Sequence, residues 1–412
     1  MDRISIFVTR YILCFLTLVF AVCKANAEET LGTDTLSDQS YISLLIASPG
    51  EENSWTVFGH AGIRVYDPTR GIDLTFNYGI FSFTDDFIFR FVKGETDYMV
   101  APSYTNEYMD EYLNKGRDVT EFVLELRNNE KNYIWNYLLW NIRPENAVYR
   151  YNFLYNNCST KPLDIILNAT GGKFIFPDVK QDKSWRAIIN KAERNKPWVM
   201  FGSNLALGEP NDKIPSIKET LFLPSYVCKY LPATKIERKD GTILAVVNNE
   251  IKHKSHVLAD KKDSVLIHLI TPLNVSILFL MTSVLLLRRS IRSKHRYRIF
   301  ESLVFLLSSS SGFILMMLSF FSEHPHTFPN YNIVIFNPLF ILVLPLTWTP
   351  RLKKLYICFH ITIFVTIILF FITMPFIKQT FEPGIIIFAL CILVESLRGV
   401  LCVLPNANKD SK

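Results

Sequence analysis

The chain has 412 residues, 49% of them hydrophobic, with 44 Lys and Arg against 38 Asp and Glu for a net charge of +6. It is too apolar for a disordered protein and too long for one core, so at least two structural units are expected. The charge is unevenly placed: residues 1–27 carry +2, residues 28–263 hold 28 basic and 32 acidic side chains, and residues 264–412 hold 13 and 5. That distribution excludes the basic globular domain that nucleic-acid binding requires.

Arg3 and Arg10 flank an apolar run from Tyr11 to Val22, followed by Ala25-Asn26-Ala27 and two glutamates. This is the layout of a secretory signal with a small-x-small cleavage site after Ala27. An uncleaved anchor is the alternative, as is a lipoprotein signal ending at Cys23, against which the bulk of Val22 counts.

Tyr41–Ala47 is a short apolar run predicted as a strand, followed by the turn residues Ser48-Pro49-Gly50. Gly59 and Gly62 then bracket His60, while Ile63 and Val65 continue an alternating strand ended by Asp67-Pro68. Leu74, Phe76 and Tyr78 mark a second strand whose opposite face carries Asn77, and antiparallel pairing would bring Asn77 beside His60. The run from Ile80 to Val92 is dense in Phe; it would either dip into a lipid interface, line an acyl groove, or form an aromatic core segment, the commoner case. Asp110–Lys115 and Tyr133–Asn141 have helical spacing.

Tyr149–Tyr155 reads as an extended aromatic segment leading into Asn156-Asn157-Cys158-Ser159-Thr160-Lys161-Pro162. Capping residues, a first-turn proline and the apolar Leu163, Ile165, Ile166 and Leu167 predict a helix that Gly171-Gly172 terminates. Further helical spacing runs from Trp185 to Asn195 behind Ser184. Trp198–Gly208 reads as a loop, and residues 233–263 as a hairpin at Asp240-Gly241 and a charged linker.

Five apolar stretches follow, near the length that crosses a ~30 Å hydrocarbon layer: Val265–Leu287, Ile299–Phe321, Ile333–Trp348, Leu355–Phe376 and Gly384–Leu404. The first connection, Arg288–Arg298, and the third, with Arg351, Lys353 and Lys354, are basic; Ser322–Asn330 has no Lys or Arg and the fourth only Lys378. Basic loops stay cytoplasmic, which places residues 28–263 outside and the C-terminus inside, as the signal sequence also requires. Glu395 and Arg398 form a mid-span pair on one helix face, open to a functional or a structural reading. His324 and His326, in the outward second loop, are expected to be solvated or near lipid headgroups.

Of seven Cys only Cys158 and Cys228 lie in the exported segment, and His60 is the sole His between residues 28 and 252. Cys158 and Cys228 would form a plain disulfide in an oxidising compartment, or Cys158 and His60 would act as nucleophile and base. Placement favours the second: at a helix N-terminus the dipole and free N–H groups lower a thiol pKa and stabilise an oxyanion. A histidine-based metal site is improbable with one His.

Phe58-Gly-His-Ala-Gly-Ile-Arg-Val65, Phe76-Asn-Tyr-Gly79, Tyr151-Asn-Phe-Leu-Tyr-Asn-Asn-Cys-Ser-Thr160 and Pro197-Trp-Val-Met-Phe-Gly202 together resemble the Lnb lipoprotein N-acyltransferases of Bacteroides over roughly residues 38–230. The His strand preceding an Asn-Cys helix is also similar to permuted NlpC/P60 papain-like enzymes. The resemblance implies a bacterial inner-membrane protein with an α+β papain-like extracytoplasmic domain, here periplasmic, and an all-α five-helix transmembrane domain. The expected divisions are a signal peptide over 1–27, a thiol acyltransferase domain over 28–232, the hairpin and linker over 233–263, the membrane domain over 264–405 and a cytoplasmic tail over 406–412. It implies Cys158 as nucleophile, His60 as base and Asn77 as orienting residue, with no cofactor or metal. The acyl donor would be a membrane phospholipid and the acceptor a diacylated apolipoprotein. Tyr151 or Tyr155 would add an oxyanion donor or simply pack, and Asp212 enters only by this likeness. A Cys–His hydrolase acting on phospholipid esters or cell-wall peptides is the alternative, and a non-enzymatic membrane protein carrying a disulfide is a further one.

Overall fold

Alternating Val, Ile, Leu and aromatic residues give the described part of the exported segment ten short strands, seven of which pair into one sheet. The computed structural model describes residues 34–257 and 269–403. The signal sequence and its Ala27 site, residues 258–268 of the linker and first span, and the tail over 406–412 lie outside the described residues.

The strands are β1 (Tyr41–Ala47), β2 (His60–Asp67), β3 (Ile72–Ile80), β4 (Asp97–Tyr104), β5 (Val119–Leu124), β6 (Val148–Arg150), β7 (Lys173–Ile175), β8 (Lys235–Glu237), β9 (Ile243–Ala245) and β10 (Val247–His253). Their helices are α1 (Phe87–Lys93), α2 (Thr105–Leu113), α3 (Asn128–Asn141), α4 (Thr160–Thr170), α5 (Trp185–Glu193), α6 (Pro197–Ala206), α7 (Ile217–Thr220) and α8 (Pro224–Tyr230). The large sheet runs β10-β5-β1-β2-β3-β4-β6 with every neighbouring pair antiparallel.

β1 sits near the middle of the sheet and is buried on both faces, which explains its nearly continuous apolar run. Ile42, Leu44 and Ile46 join Ile63, Val65, Phe76 and Phe122 beneath α3, α4 and α5. Leu45 and Ala47, on the other face, pack against Tyr108 and Tyr112 of α2. A polar clasp crosses that second face: Arg64 bonds Asp73 at 2.8 Å and Glu121 at 3.0 Å, and Glu121 also receives Ser43 at 2.6 Å and meets His253 at 3.0 Å. Five strands are tied by this clasp, and the strand that begins with His60 is one of them.

Two local expectations change. Residues 198–208 are not a loop, because Pro197 starts α6 and its apolar Phe201 and Leu205 pack into the membrane core. Residues 247–253, read as linker, form β10 on the edge of the large sheet, beyond the expected hairpin of β8 and β9.

The C-terminal region is helical: α9 (Pro272–Ser293), α10 (Arg298–Phe320), α11 (Asn332–Ile335), α12 (Val343–Trp348), α13 (Lys353–Thr373) and α14 (Pro383–Leu401). Four segments, Pro272–Ser293, Arg298–Phe320, Pro350–Phe376 and Pro383–Leu401, are long and apolar enough to cross a membrane. The remaining stretch, read as a span over Ile333–Trp348, is a shorter apolar helical segment over Asn332–Trp348, interrupted by a 3-10 turn over Pro338–Leu342 that separates α11 from α12. Pro338 lacks an N–H and holds Asn337 extended, so the helix cannot run through. Ser308 donates to the freed Ile335 carbonyl at 2.9 Å, and glycine at 312 lets the broken backbone lie directly on α10.

The exported domain is bonded to this bundle. Gly208 N donates to His326 O at 2.8 Å and Glu209 N to Pro329 O at 2.9 Å. Asn330 and Asn332 donate to the C-terminal carbonyls of α6, at 2.8–3.0 Å. Trp198 Nε1 donates to Ile270 O at 2.7 Å.

Candidate active site

His60 opens β2 directly after Gly59, whose φ of 84° turns the chain out of the 3-10 turn Thr56–Phe58. Its register partner is Ala47, and two residues on Gly62 pairs with Asn77 of β3. The pairing brings Asn77 Oδ1 to 2.6 Å from His60 Nε2, leaving Nδ1 as the nitrogen available to a nucleophile. Tyr112 stacks beside the imidazole, ring centres 6.0 Å apart and 21° from parallel, and Tyr108 lies at 6.4 Å. Glycine at 62 leaves room for the Tyr108 hydroxyl, which a Cβ would meet at 3.2 Å.

Cys158 sits in the turn before α4, and Asn157 builds that turn. Asn157 Nδ2 donates to the carbonyls of Phe153 and Phe222 at 2.8 and 2.9 Å, while its Oδ1 accepts from the N–H groups of Ser159 and Thr160 at 2.8 and 3.0 Å. Cys158 therefore stands at the positive end of the helix, as expected. The N–H groups of Ser159 and Thr160, however, are taken by Asn157 and are not open oxyanion donors.

The structure brings Cys158 and His60 together. Gly79, at φ 94°, lies between them: a Cβ there would be 3.7 Å from Cys158 Cβ and 3.8 Å from His60 Cε1. Burial pushes the Cys158 thiol up, but the attraction and hydrogen bond of His60, with a bond from the Ala61 backbone, outweigh it and hold the thiol below its ordinary value. Burial likewise pulls His60 down, and Cys158 and Asn77 together raise it above its ordinary value. Opposite shifts of this kind favour a thiolate–imidazolium pair. Both residues remain partly open to solvent.

Five tyrosines feel the Cys158 charge: Tyr98, Tyr108, Tyr112, Tyr149 and Tyr151. Burial pushes the Tyr98 phenol up to about 12 and the other four higher, so all five stay protonated donors. Tyr98 and Tyr151 stack at 4.1 Å and 14°. The Tyr149 hydroxyl is buried and has no hydrogen-bond partner among the described residues.

Other expected residues fall elsewhere. Cys158 and Cys228 are free thiols, which removes the disulfide reading, and burial pushes Cys228 up to about 11. Tyr155 bonds His326 at 3.0 Å, at the junction with the membrane bundle. Asp212 is fully engaged by Arg186 at 3.0–3.1 Å. His324 is not simply solvated; its Nε2 meets Phe91 O at 2.5 Å. Arg398 does pair with Glu395, at 2.5 Å, and also with Glu301 at 3.1 Å, which sequence reading missed. Among the described residues no three His, Cys, Asp or Glu side chains are grouped to hold a metal.

Gly79, Asn157 and four of the five tyrosines were also missed; Tyr151, expected as a donor or packing residue, does face Cys158. Gly79 and Asn157 stand within the conspicuous Phe76–Gly79 and Tyr151–Thr160 motifs, so their signal was adjacency to Asn77 and Cys158.

Family models for the Lnb N-terminal periplasmic domain and the Lnb transmembrane domain match residues 28–191 and 262–406. The chain belongs to the Lnb family. Comparison with curated proteins and with solved structures gives no significant match. As an Lnb protein it carries a periplasmic α/β domain anchored by a C-terminal helical membrane region. Cys158, His60 and Asn77 all lie within the stretch matched by the periplasmic-domain family.

Proposed function

We propose that this Lnb protein is a lipoprotein N-acyltransferase in which Cys158 is the nucleophile, His60 the acid and base, and Asn77 the residue that orients His60. The observation that carries the reading is the Cys158–His60–Asn77 arrangement, partly open to solvent, in a domain bonded to the outward loops of a membrane bundle. The Cys158 thiolate adds to the ester carbonyl of a membrane phospholipid, and His60 gives its proton to the departing alkoxide. Thioester and lysophospholipid result. The α-amino group of a diacylglyceryl-cysteine then attacks the thioester, His60 removes its proton, and the thiolate leaves. The orphaned Tyr149 hydroxyl is the donor we assign to the oxyanion, in place of the occupied N–H groups of α4.

A membrane anchor suits substrates that keep their chains in the bilayer, since extracting a chain costs about 0.8 kcal/mol per CH₂. The corresponding location is the inner membrane with the C-terminus cytoplasmic, in line with the basic loops at 288–298 and 351–354. The test is mass spectrometry of lipoprotein N-termini in a bacterial strain whose only N-acyltransferase is this protein. N-acyl termini should appear with the wild type and vanish with Cys158→Ser; identical acylation in both would sink the proposal, and release of free fatty acid without N-acylation would mark a hydrolase.

A further inference from the structure

The run from Ile80 to Val92 is not core. Phe83, Ile88 and Phe89 are 69%, 77% and 62% exposed, and no residue of α1 is buried. The two cations of α1 are the more sheltered side chains: Arg90 pairs with Asp97 at 2.5 Å and Lys93 with Glu95 at 2.6 Å. A surface helix in water has the reverse arrangement, with apolar residues inward and charges outward. Here both cations of α1 are paired against the protein while Ile88, Phe89 and Phe91 face out; Asp85 and Asp86 at its start are exposed, and Phe87 turns inward.

What lies beyond those rings follows from where α1 is attached. Its C-terminal turn is bonded to the outward end of α10: Glu323 N donates to Lys93 O at 2.8 Å, and His324 Nε2 meets Phe91 O. Gly94 closes the helix in the left-handed conformation, and a Cβ there would meet His324 N at 2.9 Å, so the two segments are in backbone contact. The exposed rings of α1 thus continue the exposed aromatic belt of Phe320, Phe321 and Phe328 at the end of that span.

We propose that α1 is a membrane-inserted platform, with Phe83, Ile88 and Phe89 in the hydrocarbon of the outer leaflet of the bilayer that α10 spans and the exposed Asp85 and Asp86 at the headgroup level. A line of rings leads inward from it: Phe87 stacks on Phe81 at 5.5 Å, Phe81 on Tyr98 at 5.0 Å, and Tyr98 on Tyr151 beside Cys158. The platform holds lipid chains at the mouth of that aromatic wall, so that an ester at the leaflet surface reaches Cys158 without the chain leaving an apolar environment. Insertion does not depend on the acyltransferase reading; delivery of an ester to Cys158 does.

The experiment places photoreactive p-benzoylphenylalanine at Ile88, at Phe89 and, as a lipid-facing reference, at Phe376 of the full chain in phosphatidylethanolamine–phosphatidylglycerol vesicles. Phospholipid adducts at all three positions are expected after irradiation. Adducts at Phe376 but none, or protein adducts only, at Ile88 and Phe89 would overturn the platform. In parallel, Ile88→Asp with Phe89→Asp should lower N-acylation about tenfold or more, with the rate of Cys158 alkylation by iodoacetamide unchanged. Adducts at Ile88 with undiminished acylation in the double variant would overturn the delivery route while supporting insertion. Adducts in a wild-type protein that transfers no acyl group would support insertion and refute the acyltransferase reading.

Discussion

The molecule contains two polar clusters of similar size and opposite design. In the exported domain, Cys158, His60 and Asn77 are partly open to solvent, two of them shifted away from their ordinary protonation, with an unpartnered Tyr149 hydroxyl nearby. In the membrane bundle, Arg398 sits between Glu301 and Glu395, and Glu301 also receives Thr347 at 2.6 Å and Tyr356 at 2.9 Å. All five of these side chains are closed off from the surface. The membrane cluster crosses four helical segments and reads as a pin that fixes the bundle; the exported cluster stands where solvent reaches it. Charge inside a membrane segment is therefore not enough to mark a working site here. Access is the distinguishing feature, since Glu395 Oε1 in the membrane cluster is itself buried without a hydrogen-bond partner among the described residues.

This contrast can be broken by substitution. The largest effect is expected at the nucleophile: Cys158→Ala should abolish N-acylation with normal folding, and His60→Ala should lower it by about 10²–10⁴-fold, both measured by mass spectrometry of lipoprotein termini. Tyr149→Phe should cost roughly 10²–10³-fold in kcat with little change in thermal unfolding, the behaviour of an oxyanion donor. Equal losses of activity and stability there would return Tyr149 to a packing role. Arg398→Leu should act in the opposite sense, leaving two buried carboxylates without a cation and destabilising by about 3–5 kcal/mol, read as a fall in Tm. The alkylation rate of Cys158 in the folded fraction should not change.

Asn77→Ala should lower kcat/KM by roughly 10–100-fold, from the loss of about 1.5–3 kcal/mol in a hydrogen bond to a charged group. Its signature is in the pH profile. The ion pair exists between the lowered Cys158 and raised His60 titrations, and Asn77 helps hold His60 up. Without it the alkaline limb moves to lower pH, and the acid limb moves up as the thiolate loses part of its imidazolium support. A bell of unchanged width would refute the orienting role. The smallest effect is expected for Cys228→Ser, a free, half-buried thiol apart from the Cys158–His60–Asn77 arrangement, with unchanged acylation on the same mass-spectrometric readout.

Much of the exported domain was legible because local signals agreed. β1 begins and ends where the apolar run does, α5 starts at Ser184 whose hydroxyl accepts from Ala187 N at 3.2 Å, and Gly171 closes α4 with a left-handed φ. Alternation in β2 and β3 sufficed to set Asn77 beside His60. The misreadings share a cause, which is that a distant surface decided the local state. Residues 198–208 look like loop until a membrane bundle is present to take Phe201 and Leu205. The phenylalanines of α1 look like core until the bulk of the domain is seen to leave them outside. The stretch over Ile333–Trp348 has a span's hydropathy, and what its sequence hid is the break that Pro338 and the close approach at Gly312 put into its helix. Glu301 was overlooked because its partner lies 97 residues away.

β10 carries a consequence for how the molecule is made. The large sheet lacks its edge next to β5 until residues 247–253 have emerged on the far side of the membrane, and α9 begins at Pro272, so the closing strand is followed almost at once by the first span. Residues 254–271 reach at most about 60 Å even fully extended, so β10 docks under a short leash already anchored at its other end. Assembly of the large sheet and insertion of the bundle are then successive stages of one event at the membrane, and the domain is finished only beside the bundle that anchors it.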